Sequence, residues 1–185
     1  MAKRHKSEFF QRKAEEVAQK LIGRTIERYV AGQQLPIRAR IVVAGAYEGL
    51  TGNRKEQQGM YSAPGQFYIM SVRGNLSLNF GTESADVASV VCVIGVQLTK
   101  PSGLELVIGP GKVTRALELD ERFNGLSLDQ IPDLSIKGRS VGSGRVLLVP
   151  DGTRIGTGQG ANRVNYSSNC IAIYALADLV KQQEK

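Results

Sequence analysis

The sequence predicts a single α+β domain with a mostly antiparallel sheet. Short runs rich in β-branched residues alternate through most of its 185 residues, while only two stretches show helical spacing. No internal repeat or linker divides the chain. A composition of 42% hydrophobic and 22% charged residues supports a buried core and excludes a disordered or fibrous protein. The expected organisation is a basic arm over 1–7, one domain over 8–180 and a solvated tail, KQQEK, over 181–185.

Residues 8–21 place Phe9, Phe10, Ala14, Val17, Ala18 and Leu21 near helical spacing, with Gly23 as a stop. Segments 25–30 and 37–44, split by AGQQLP, read as two strands joined by a turn. The run Ile41-Val42-Val43-Ala44 has lost its alternation, which marks a buried strand end. Residues 49–65 are polar and Gly-rich without an apolar period, the pattern of a long loop. Segments 67–72, 76–80 and 87–98 then form an expected antiparallel meander. A glycine- and proline-rich turn, Gly109-Pro110-Gly111, precedes Lys112 and a short helical pattern over 113–117. Strand-like runs at 145–149 and 170–176 flank a turn at 150–153 and the polar stretch GQGANRVNYSSN.

No apolar run reaches membrane-spanning length, and the basic N-terminus has no apolar segment behind it. A cytoplasmic or nucleoid location, with no membrane partner, is the expectation. Cys92 and Cys170 stand inside apolar runs, and His5 is the only histidine. Zinc and histidine-triad chemistry are therefore not expected, no metal or other cofactor is implied, and the cysteines read as packing residues. The net charge of +7, reinforced in the arm by Lys3, Arg4 and Lys6, favours an anionic partner such as nucleic acid.

The order of short motifs narrows the field. A helix containing Phe9-Phe10 is followed by LIGRTI, then RARIV and AYEG, GM and PGQFYI, Leu78-Asn79, GPGKVTRAL with a downstream NG, and RIG. In this order and spacing the chain resembles the alkyladenine (3-methyladenine) DNA glycosylases in their compact bacterial form, from about Phe9 to Tyr174. The resemblance implies a curved sheet with a few short helices, the methylpurine-DNA glycosylase-like fold; a monomer is the expectation. Such enzymes flip a damaged purine out of the duplex into an aromatic pocket while a side chain wedges into the vacated stack. A glutamate activates the water that attacks the sugar carbon, without a metal.

In the family's pattern the Ile-Val strand continues with two acidic residues, the second two positions before the tyrosine. This chain instead reads Val43-Ala44-Gly45-Ala46-Tyr47, so Gly45 stands at the general-base position. Glu56 replaces a pocket histidine, Met70 a pocket aromatic, and Ile94 an arginine of the central strand. Retained are Tyr47 and Asn79 of the base pocket, beside Met70, and a phosphate seat formed by Gly109, Gly111, Lys112, Arg115 and Arg154. Arg163 is a further candidate phosphate contact, and Arg73 occupies the intercalating position at a hairpin tip.

These residues imply a nucleic-acid-binding protein on a glycosylase scaffold with excision lost or greatly weakened, duplex DNA being the first target and RNA the alternative. A competing reading is an active glycosylase in which Glu48 serves as a relocated base. Because neighbours on a strand face opposite ways, a regular strand would point Glu48 away from the Gly45 face. A further reading is a protein-interaction module that reuses the cleft, with Tyr61, Phe67 and Tyr68 as contacts or as core and loop anchors.

Overall fold

The computed structural model describes residues 7–49, 58–72, 74–141, 146–149 and 161–168. The opening apolar pattern is split in two: a 3-10 turn at Ser7–Phe9 and helix α1 at Ala14–Leu21. Arg12 closes the break by donating from its guanidinium to the Phe9 carbonyl at 2.8 Å. Phe9 and Phe10 thus reach the core through a turn, where the sequence predicts helix from residue 8.

The strands are β1 (Thr25–Arg28), β2 (Ile37–Gly49), β3 (Phe67–Val72), β4 (Asn75–Gly81), β5 (Ser89–Lys100), β6 (Gly103–Ile108), β7 (Leu134–Lys137), β8 (Val146–Val149) and β9 (Ala161–Ser168). All pair antiparallel in one sheet whose main path runs β3-β4-β5-β2-β1-β7. The expected meander is present as β3-β4-β5, and the expected hairpin as β1-β2. A single α+β domain follows, as predicted from the spacing of the β-rich runs.

The sheet curls because its two long strands change neighbours along their length. One edge of β5 pairs with β4 and then with β6. One edge of β2 pairs with β1 and then with β9. Between β2 and β5 the register is irregular from Ile41 to Ala44, and such irregularities bend a strand and increase its twist. They also explain the lost alternation. Ile41 and Ala44 join the main core, while the consecutive Val42 and Val43 both lie on the opposite face.

Two segments depart from the sequence reading. Residues 161–168, read as part of a polar stretch, form β9 against β2 and β8. Residues 103–108, given no element, form β6, which among the described residues pairs only with β5 and is exposed or half-buried throughout. The expected strand at 170–176 lies outside the described residues.

Helix α1 and helix α2 (Pro110–Ala116) both bury residues in the main core: Val17 and Leu21 from one, Val113 from the other, with Leu117 just beyond α2. The opposite face carries a smaller cluster of Val42, Val43, Cys92 and Ile94, with Tyr47 and Ile108 packed against it. Among the described residues no helix is long and apolar enough to cross a membrane.

One ionic cluster ties β1 to both its neighbours. The Glu27 carboxylate accepts from Arg38 Nε at 3.0 Å and from Lys137 Nζ. The Lys137 hydrogen bond, helped by Arg38, holds the Glu27 carboxyl below its ordinary range. A lowered folded-state pKa stabilises above the unfolded value, and that stabilisation disappears as pH falls through the folded value. Glu27→Gln should therefore lower the unfolding free energy by up to about 1 kcal/mol at pH 7, the scale of a cross-strand charged pair. Urea titrations should show the two proteins converging once the carboxyl is protonated; a constant difference down to pH 3 would contradict this.

Candidate functional site

The face opposite the main core holds the positions that the sequence marks. Phe67, Ile69, Leu78 and Phe80 point into the core, so the intervening Tyr68, Met70, Ser77 and Asn79 face the other way. On β2, Ala44 and Ala46 belong to the core, which puts Gly45 and Tyr47 on the same outer face as Asn79.

The pairing registers align these positions across the sheet. Gly45 is opposite Cys92 on β5 and Asn165 on β9. Cys92 is opposite Asn79 on β4, and Asn79 is opposite Tyr68 on β3. One lateral row therefore reads Asn165, Gly45, Cys92, Asn79, Tyr68, with about 4.8 Å between strands. Tyr47 stands one step along this face, opposite Val90 and Arg163.

Asn79 is buried, and its amide nitrogen donates to the Tyr68 carbonyl at 2.9 Å, the Ser77 carbonyl at 3.1 Å and Ser77 Oγ at 3.2 Å. Those bonds fix its side chain. Met70 is half-buried opposite Ser77, whose hydroxyl donates to the Met70 carbonyl at 3.2 Å. Above Tyr68 sits the 3-10 turn Gln58–Tyr61, where a Cβ on Gly59 would lie 2.0 Å from the Tyr68 ring. A side chain here would have to displace the Tyr68 ring. Part of the loop expected at 49–65 thus covers the β3 end of the row.

The electrostatics of the row are neutral. Burial pushes the Cys92 thiol up to about 12 and raises the Tyr68 phenol as well. Neither is ionised near pH 7, and no Asp or Glu stands in the row. Cys92 is a free, buried cysteine, as its apolar run predicts; Cys170 lies outside the described residues.

Glu48 is half-buried, opposite Ser89 and Asn162. From Ala44 to Glu48 the register with both neighbours is uninterrupted, so Glu48 shares the face of Ala44 and Ala46. Gly45 belongs to the other.

The glycine-rich turn opens α2 in the gap between β6 and β4. Gly109 donates to the Ile94 carbonyl at 2.8 Å and turns with φ 116°, a region open to glycine. A Cβ on Gly111 would lie 3.1 Å from Asn75 Cβ, so the turn abuts the start of β4 beside the β3–β4 hairpin. Lys112 and Arg115 are exposed and have no ion pair among the described residues. The expected seat and the expected wedge hairpin are therefore neighbours. Arg73 itself lies outside the described residues, as do Glu56, Arg154, Lys3, Arg4 and Lys6. Ile94 is fully buried in the small cluster.

Sequence reasoning missed Asn165 and the pairing of Arg163 with Tyr47, because it read their segment as a polar stretch. The alternation in Arg163-Val164-Asn165-Tyr166 was the available signal.

A family model described as methylpurine-DNA glycosylase (MPG) matches residues 8–167. A protein of Trichodesmium erythraeum (strain IMS101) named "Putative 3-methyladenine DNA glycosylase" is 28% identical over 190 residues, covering 89% of this chain and 94% of that protein. Relatives of the same name are 29% identical over 155 residues in Clostridium novyi (strain NT), covering 68% of this chain and 76% of that one, and 36% identical over 95 residues in Chlorobium phaeobacteroides (strain BS1), covering 45% and 46%. Since the family match runs from the opening 3-10 turn into β9 and takes in every strand of the lateral row, the chain belongs to the methylpurine-DNA glycosylase family.

Proposed function

We propose that this chain binds nucleic acid through the family's scaffold, duplex DNA first and RNA as the alternative, and that base excision is lost or greatly weakened. The observation that carries the proposal is the neutral row around Gly45. General-base assistance is worth roughly two to four orders of magnitude in rate, and glycine supplies no carboxylate to accept a proton from water. Cys92 and Tyr68, the ionisable groups of the row, both hold their protons at neutral pH. Fold alone does not carry activity, because the chemistry belongs to the site.

The binding half of the reading rests on other residues. Asn79 and Tyr47 keep the base-pocket positions, and Lys112 and Arg115 offer exposed cations beside the hairpin. In this role Arg73 and Arg154 contribute a groove contact and a phosphate contact. The relocated-base alternative is weakened by the register of β2, which gives Glu48 the face of Ala44 and Ala46.

Purified protein titrated with duplex, abasic and single-stranded DNA and with RNA tests this directly. Each phosphate neutralised on duplex DNA adds roughly 0.9 to the slope of log K against log salt. Lys112→Ala should weaken binding to all sequences and reduce that slope by about one unit. An unchanged slope removes the glycine-rich turn from the interface. Absence of binding to every nucleic acid at low salt defeats the proposal as a whole.

A further inference from the structure

The face that carries Gly45 and Tyr47 continues along β2 past the two valines, and there it is open and basic. Ala39 and Ile41 point into the core, so Arg38 and Arg40 lie on the same outer face as Gly45. Arg40 is five residues from Gly45, roughly 16 Å along the strand.

Arg40 is opposite Thr25, and Thr25 is opposite Lys137 on β7. The next row along brings Glu27 opposite Arg38. Three cations, Arg38, Arg40 and Lys137, thus surround one carboxylate, leaving two net positive charges. The carboxylate is committed: it accepts from both Arg38 and Lys137. That arrangement holds two long, otherwise flexible side chains in place. Arg40 is exposed and forms no ion pair among the described residues, so its charge is available to a ligand.

Among the described residues no hydrogen bond or ion pair holds the Arg40 side chain, and its position on the site face gives it a use. The geometry points to a second phosphate-contact surface at this end of the sheet, with Arg40 and Arg38 meeting the sugar–phosphate backbone of a nucleic acid bound on this side of the protein. Glu27 is then the post that positions Arg38 and Lys137. This inference rests on the nucleic-acid reading above and extends the footprint to a surface separate from the Lys112 turn.

The test compares wild type with Arg40→Gln, Arg40→Lys, the double variant Arg38→Gln/Arg40→Gln, and Lys112→Ala. Binding to a labelled duplex is measured across salt concentrations, with thermal midpoints recorded alongside. Arg40→Gln should lower the salt slope by about 0.9 and the double variant by up to twice that. Arg40→Lys keeps the charge and should keep the slope, which separates lost contact from lost fold. If Lys112→Ala lowers the slope while both Arg40→Gln and the double variant retain the wild-type value, this surface is not part of the interface and the nucleic-acid reading survives. If wild type binds no nucleic acid, that reading fails first. Arg40-dependent binding to phosphatidylserine vesicles with Arg40-independent binding to DNA would assign the surface to lipid headgroups and overturn the inference.

Discussion

Phe80→Ala should lower the unfolding free energy by about 3–5 kcal/mol, the cost of emptying a buried aromatic site. Phe80 is fully buried on β4 and links three elements. Its ring centroid lies 5.3 Å from Phe10, just ahead of α1, and 4.8 Å from Phe67 on β3, the latter edge-on. Pairs in such geometry add about 0.5–1.5 kcal/mol beyond their buried area. The loss would fall on the site as well, because Phe80 adjoins Asn79 on the same strand and pairs with Val91 on β5. Guanidinium titration should therefore show a midpoint shift with an unchanged slope. A loss below 1 kcal/mol would mean that the core closes over the cavity, and that the aromatic contacts between Phe10, β3 and β4 are weaker than their geometry indicates.

Much of this core was readable from residue types. Period-2 alternation identifies Phe67, Ile69, Leu78 and Phe80 as one face, and thereby Tyr68, Met70 and Asn79 as the other. The short helix beside Gly109-Pro110-Gly111 was equally plain, although it begins at Pro110 and not at residue 113. What the sequence hid has physical causes. In β6 both faces are exposed or half-buried, so GLELVI shows no contrast between inside and outside. Strand β9 takes its ladder from β2 and β8, and its polar residues leave only the short alternation at 163–166 as a signal. The row through Gly45 and Cys92 depends on register across an irregular stretch of β2 and β5, which composition cannot supply. The opening helix was overextended because Phe9 and Phe10 match a helical stripe, although a 3-10 turn is what delivers them to the core.

Gly45→Glu should restore little excision, even though it puts a carboxylate at the position proposed for the family's base. Gly45 is buried between Cys92 and the position of Asn165, and burial raises a carboxyl pKa toward the neutral form. On the proposed reading, Glu56, Met70 and Ile94 also stand where the family would carry a pocket histidine, a second aromatic and a central arginine. Orientation of the reacting groups can contribute roughly 7–11 kcal/mol, and a lone base recovers none of it.

On the proposed reading the site lacks a base while the scaffold persists. Single-turnover release of hypoxanthine and 3-methyladenine from duplex DNA measures it most directly, with wild type, Glu48→Gln and Gly45→Glu compared at saturating protein. The expected result is binding without excision at an enzyme-like rate in all of them. Robust excision by wild type would contradict the account: if it vanishes in Glu48→Gln, Glu48 is the base, and if it persists there, the chemistry lies outside the Gly45 row.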